Sequence, residues 1–313
     1  MSTAGGSEAT SADRGIGERL DLIDAAIYAD LFDCAVTGEE MWRYSRASIS
    51  RERLTELLES DPALRRLISG RGDLYCLRGR EQLLEARGER RSRARQLHRR
   101  ARAVARVLRH FPFVRGLLLT GSAGADDAPS GADLDLLVLV EPDRLATAFA
   151  ILGTLSRLLG RETFCPNHYV ATDALRLDGR RDIYVARELV QARPLSGAAE
   201  ALRAGNEWVV ELLPNALDGA RPTAEPRPAS RLQRLLERPC RGRGGDALER
   251  RLARLARWRL DHHYRGNGEP VPEQVAADFE AGRQLRFHGV NDTQGVLDRY
   301  ERRRGELAAS ERS

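Results

Sequence analysis

Apolar positions recur at helical spacing from Ile16 to about Phe32, through Leu20, Ile23, Ile27 and Leu31, and predict a first helix. Thr37 is followed three positions later by Glu40, just ahead of Met41 and Trp42. That order is a capping box and predicts a short helix over about 38–45. Ser48 or Ser50 can cap a third helix carrying Leu54, Leu57 and Leu58, and Asp61-Pro62 starts another short turn of helix. Gly72-Asp73 then precedes Leu74-Tyr75-Cys76-Leu77, a short strand at a hairpin. Residues 80–109 read as one long helix, with Leu97, Val104, Ala105, Val107 and Leu108 on its apolar stripe.

The pattern then changes. Pro112-Phe113-Val114 leads into the apolar Gly116-Leu117-Leu118-Leu119, which predicts a strand running into the tight turn Thr120-Gly121-Ser122. A small-residue stretch, Ala123 to Ser130, precedes a second strand from Gly131 to Val140. Its continuous apolar run, Leu136 to Val140, predicts burial on both faces of a sheet covered by helices. Pro142 and Asp143 open a helix carrying Leu145, Phe149, Leu152, Leu155 and Leu158, which reaches Gly160. Further on, Asn206 precedes a helical stretch with Trp208, Val209, Val210, Leu212 and Leu213. Trp208 reads as core, and Asn206 as a cap or a polar site residue. The Gly-, Pro- and Ala-rich stretch that follows reads as a linker. A basic helix is expected over about 246–265, ending at His262-His263. A last unit covers about 271–307, with Phe287-His288, Asn291-Asp292-Thr293 and a helix through Val296, Leu297 and Tyr300.

These elements divide the chain. Residues 1–15 are expected to be a disordered tail. Short helices and a small hairpin over 16–80 predict a winged-helix-like unit, with a generic helical cap as the plainer alternative. Its third helix carries Arg51 and Arg53, modest for reading DNA, and such a unit can equally be a packing module. Residues 81–215 form an α/β core including the long basic helix, 216–245 a linker, and 246–313 a helical C-terminal region. A length of 313 residues, about twice a typical domain, agrees with two or three domains.

Composition sharpens this in one respect. The formal charge is +5, which is mild, but all 51 basic residues are arginine and there is no lysine. Schiff-base, phosphate-loop-lysine and lysine-adenylate chemistries are therefore excluded. Nine arginines lie between Arg90 and Arg109, either as a solvated surface or as a face turned toward phosphate or nucleic acid. Cys34, Cys76, Cys165 and Cys240 are scattered without metal-ligand spacing, and no apolar signal core or membrane-length run occurs. A reducing, cytoplasmic location without a membrane partner is expected.

The chemistry gathers around the second strand. Asp133 and Asp135 lie two apart, so period-two alternation puts both carboxylates on one face. Carboxylates that close repel unless a cation lies between them, and Mg²⁺ answers that need with oxygen ligands. Gly121 lets backbone approach a phosphate closely, and the Ser122 hydroxyl can donate to its oxygens.

The string of apolar strand, Gly121-Ser122, a gap of ten residues, Asp133-x-Asp135 and apolar strand resembles the nucleotidyltransferase superfamily, the polymerase-beta-like fold. Motif-level resemblance covers about 112–140 and is looser over 16–80 and 162–215, where the chain looks like a bacterial group of nucleotidyltransferase-domain proteins. The resemblance implies an α/β (α+β) fold class: a small mixed sheet flanked by helices, with the winged-helix-like unit before it and a helical C-terminal region after it. It implies a third core strand in Glu162–Val170 bearing a third carboxylate. Asn167 stands there instead, and an asparagine cannot act as a base. Asp182, at the start of Ile183-Tyr184-Val185, is the preferred substitute because that stretch can return to the sheet edge; Glu188 is another candidate. His168 reads as structural, and Cys165 as a buried thiol.

The implied activity is transfer of a nucleoside monophosphate from an NTP, with ATP the expected nucleotide, to an acceptor hydroxyl with release of pyrophosphate. The catalytic set would be Asp133, Asp135 and Asp182. Asp133 and Asp135 would ligate Mg²⁺, two ions being expected, and Gly121 and Ser122 would hold the β/γ-phosphates. The acceptor is open among small molecule, nucleic acid and protein, and the winged-helix-like unit could contact nucleic acid. Two alternatives remain: a non-catalytic nucleotide-sensing or DNA-binding regulator, and a toxin-like nucleotidyltransferase acting on tRNA or protein.

Overall fold

The computed structural model describes residues 11–177, 179, 181–197, 199–218, 228–266, 268, 270–286 and 290–312. It divides into two compact units. One runs up to Gly88 and adds Val209–Asp218 and Gly295–Ser313; the other is Glu89–Trp208 with Gly219–Gln294.

The first unit opens with α1 (Ser11–Leu22) and α2 (Asp24–Asp30), so helix already covers part of the expected tail, whose first ten residues lie outside the described set. β1 (Val36–Thr37) leads into α3 (Gly38–Arg43). Thr37 accepts from the Glu40 N–H at 3.1 Å while the Glu40 carboxylate accepts from the Thr37 N–H at 2.8 Å, the reciprocal pair read from the sequence. Ser50 caps α4 (Arg51–Ser60) and Asp61 caps α5 (Pro62–Leu67). β2 (Ile68–Arg71) and β3 (Leu74–Leu77) pair antiparallel across Gly72-Asp73, and β1 joins them in the order β1-β3-β2. Asp24 is fully buried and carries the unit's polar centre: Tyr300 donates to it at 2.5 Å, and Arg304 pairs with it at 2.5 Å.

Helix α6 (Gln82–Leu108) supplies residues to both units. The second unit then follows the order β4 (Val114–Leu119), α7 (Gly121–Gly124), β5 (Asp135–Val140), α8 (Leu145–Leu159), β6 (Cys165–Ala171), α9 (Ile183–Gln191), β7 (Arg193–Gly197) and α10 (Ala199–Ala204). After α11 (Val209–Leu212), which belongs to the first unit, come α12 (Arg231–Glu237), α13 (Gly242–Gly266), α14 (Glu273–Glu280), β8 (Gln284–Arg286) and then α15 (Val290–Arg312), which from Gly295 on belongs to the first unit. The strands form a mixed sheet ordered β7-β4-β5-β6-β8, parallel only between β5 and β6.

Strand β5 is central, and its alternation divides the core. Leu136, Val138 and Val140 pack with α6, α8 and α13 residues such as Ala101, Leu152 and Leu260. Leu137 and Leu139 face the other way, against Val170, Leu177 and Leu202. Both faces of the strand are covered, as its unbroken apolar run requires. The architecture is thus mixed α/β, a small sheet flanked by helices, with a mostly helical C-terminal region. Among the described residues no helix is long and apolar enough to cross a membrane.

Two expectations meet a different structure. Within the expected linker, α12 is a helix docked on β4. Gln233 is buried and donates to the carbonyls of Phe111 and Val114 at 3.0 and 2.7 Å. Glu237 is fully buried and accepts from the Phe113 N–H at 2.9 Å, holding Phe113 at a φ of +65°. Composition shows Pro, Gly and Ala there but not these partners, which lie about 120 residues earlier. Asp182 starts a helix rather than a strand: its carboxylate accepts from the Val185 N–H at 2.9 Å and caps α9. The next edge strand in the chain is β7, which follows α9.

Candidate functional site

The Gly-Ser turn and the Asp-x-Asp segment meet at one end of the β4/β5 pair. The Thr120 N–H donates to the Asp135 carbonyl at 3.0 Å, closing the ladder and leaving Gly121 beside the Asp135 side chain. Gly121 has a φ of +62°, and a Cβ there would lie 2.5 Å from Asp135 Oδ2. Both facts favour glycine: the first for conformation, the second for space. The Ser122 side chain has no hydrogen-bond partner among the described residues.

Asp135 is half-buried and Asp133 exposed, two residues before β5 begins. Both act on Cys165, which pairs with Asp135 across the parallel β5/β6 ladder. Burial first, then the charge of Asp135 and, more weakly, of Asp133 push the thiol's pKa up, with Arg161 opposing. Cys165 therefore stays a protonated thiol.

Asn167 reaches this pair through a break in register. Leu136 pairs with Pro166 but Leu137 pairs with His168, so Asn167 is the extra residue of a bulge. Its amide donates to Asp135 Oδ1 at 2.7 Å. Beyond it a small cavity is lined by Thr120, Leu137, Asn167, His168, Glu188 and Arg286. His168 contacts Gln284 Oε1 at 3.2 Å, which agrees with a structural role. Glu188 pairs with Arg286 at 2.8 Å, and the Arg286 guanidinium lies 5.6 Å from the centre of the Tyr184 ring. Burial, then the charges of Glu188 and Asp135, keep the Tyr184 hydroxyl protonated well above its ordinary range.

Asp182 does not join Asp133 and Asp135. Among the described residues no three His, Cys, Asp or Glu side chains form a group able to hold a metal ion. Asn206 is a structural anchor. It is buried, accepts from the Leu177 N–H at 2.7 Å, and donates to the carbonyls of Leu175 and Leu202. Trp208 is buried beside it and donates to Asn206 Oδ1 at 3.1 Å. Phe287-His288 lies outside the described residues.

Sequence reasoning missed what fixes the turn. His98, buried on α6, bonds the Ala123 carbonyl at 2.7 Å, and burial above all lowers its pKa, which favours the neutral ring. Arg90 forks onto Asp127 with two bonds of 2.6 Å, and Arg193 pairs with Asp126. The small-residue stretch after Ser122 is thereby pinned by side chains from α6 and β7. The adjacent acids Asp126-Asp127 inside it were the available signal.

Comparisons with models of protein families, with curated proteins and with solved structures found no match to this chain.

Proposed function

We propose that the protein is a nucleotidyltransferase on a polymerase-beta-like core, transferring a nucleoside monophosphate from an NTP to an acceptor hydroxyl. The observation that carries this reading is the contact between Gly121 and Asp135. A glycine at a φ of +62° brings the turn against the carboxylate at the head of β5. There a triphosphate would need close backbone, and the Mg²⁺ that accompanies it would need carboxylate oxygens. Gly121 would admit the phosphates, Ser122 would donate to a phosphate oxygen, and Asn167 would hold the Asp135 carboxylate in one orientation.

Asp133 and Asp135 fit one Mg²⁺ ion, which ordinarily takes one or two carboxylates together with substrate phosphates. They do not supply the donors for a two-ion arrangement, since no third carboxylate joins them among the described residues. Bound there, the ion would supply charge neutralisation at the triphosphate. The first unit is read as a winged helix, supported by the sheet order β1-β3-β2 with α3, α4 and α5 between β1 and β2. Arg51 and Arg53 of α4 pair with Glu39 and Glu56, which favours a packing module over a DNA reader.

The test is Mg²⁺-dependent release of pyrophosphate from ATP and the other NTPs, in the wild type and in the Asp133→Ala/Asp135→Ala double variant. Release abolished by the double substitution is expected, and unchanged turnover would remove both residues from the mechanism. The second reading, a nucleotide-sensing regulator, is favoured by Asn167, an amide bonded to Asp135 where a base would stand. NTP binding without pyrophosphate from any nucleotide would select it.

A further inference from the structure

Helix α6 carries a ridge of arginines that this reading does not use. Arg91, Arg95, Arg99, Arg102 and Arg106 follow at steps of four, four, three and four residues. At about 100° per residue they fall within an arc of about 80°. At 1.5 Å per residue the ridge is about 22 Å long. All five are exposed, and among the described residues none has an acid partner or a hydrogen bond.

Arginine is abundant throughout this chain, so the useful comparison is within α6 itself. Arg87 pairs with Glu40, Arg90 with Asp127 and Arg93 with Glu89. Arg100 donates to the Glu162 carbonyl and Arg109 to His110, so what marks the ridge among the described residues is that its arginines have neither an acid nor a hydrogen bond. Like charges three and four residues apart on a helix repel, so the ridge is unfavourable until an anion lies along it. It also passes close to the candidate site. His98, whose ring bonds the Ala123 carbonyl of the Gly-Ser turn, feels the charge of Arg102.

We propose that this ridge binds the sugar-phosphate backbone of a nucleic-acid strand laid along α6 past the Gly121–Gly124 turn. Guanidinium forks match phosphate oxygens, and a row of them contacts successive phosphates without reading bases. A lipid surface is disfavoured because the arc carries no apolar side chain to insert. The binding does not depend on transfer chemistry. Strand binding and pyrophosphate release are read separately, so either reading can fail without the other.

The experiment is fluorescence anisotropy on the full chain with a labelled single-stranded RNA and, in parallel, a DNA duplex, each over a salt series. The wild type is compared with Arg95→Gln/Arg99→Gln/Arg102→Gln. The control, Arg250→Gln/Arg251→Gln/Arg254→Gln on α13, removes the same charge from exposed positions elsewhere. Loss of three phosphate contacts is expected to reduce the slope of log K against log salt by about 2 on RNA, or about 2.7 on duplex. The control should keep the wild-type slope, and the arm that binds identifies the form of the strand. Equal losses in both triple variants would overturn the proposal, because net charge alone would then be at work. So would a wild type that binds neither nucleic acid, or that binds only anionic phospholipid vesicles. Glutamine keeps helix propensity close to that of arginine. If the triple variant does not fold by circular dichroism, Arg99→Gln alone should lower the slope by about 0.7–0.9, and no change would count against the ridge.

Discussion

Gly121→Ala isolates the contact on which the functional reading rests. Two costs are separable. The residue sits at a φ of +62°, and a left-handed conformation costs a non-glycine residue about 1–2 kcal/mol. The added Cβ would also lie 2.5 Å from Asp135 Oδ2, so the carboxylate has to turn away. Turning forfeits the 2.7 Å bond from Asn167. A bond to a charged acceptor is worth about 1.5–3 kcal/mol, and the half-exposed setting puts this one near the lower end. The total is about 3 kcal/mol. Gly131→Ala supplies the reference, because Gly131 has a φ of +75° and no atom within 4 Å of an added Cβ. It should cost only the backbone share, about 1–2 kcal/mol. Urea unfolding of both variants, repeated in an Asp135→Ala background, closes a double-mutant cycle. In that background the cost of Gly121→Ala should fall to that of Gly131→Ala. Equal costs for the two alanines in the wild type, or an undiminished cost without the Asp135 carboxylate, would refute the contact.

Asn167→Asp puts a carboxylate beside Asp135 Oδ1. Repulsion raises the folded pKa of the pair, so the penalty appears as pH rises through the carboxylate range and fades below it. We expect about 2–3 kcal/mol lost at pH 7 and largely restored by Mg²⁺, read as melting with and without the ion, while the wild type shows little ion effect. Glu237→Gln tests the docking of α12. Burial opposes ionisation of Glu237, but bonds from Arg241, the Phe113 N–H and Arg115 outweigh it and hold the carboxyl below its ordinary range. A depressed carboxyl adds stability above its unfolded pKa and loses it as pH falls through the folded value. The variant should lose about 3 kcal/mol at pH 7 and flatten the acid limb of a stability profile; an unchanged limb would count against the assignment.

Where the sequence was legible, the interactions are short in range. The Thr37-Glu40 capping box, the Ser50 and Asp61 caps and the hairpin at Gly72 are each written within four residues. The alternation of β5 put Leu136 and Leu137 on opposite faces. Asp182 defeated the same approach. Ile183-Tyr184-Val185 suits a strand or a helix, and the cap that decides between them uses the same kind of residue that was sought as a catalytic base.

The sequence by itself determined the strand, Gly-Ser turn, Asp-x-Asp and strand order, and the absence of lysine, which rules out any lysine contact to a phosphate. Only the tertiary structure decided that Asn167 bulges out of β6 to bond Asp135, or that Glu237 closes on Phe113. It alone separated Arg90, fixed to Asp127, from Arg91, which has no acid partner among the described residues. Strand register and ion pairing join residues tens of positions apart, and local periodicity carries no record of which partner the folded chain brings within reach.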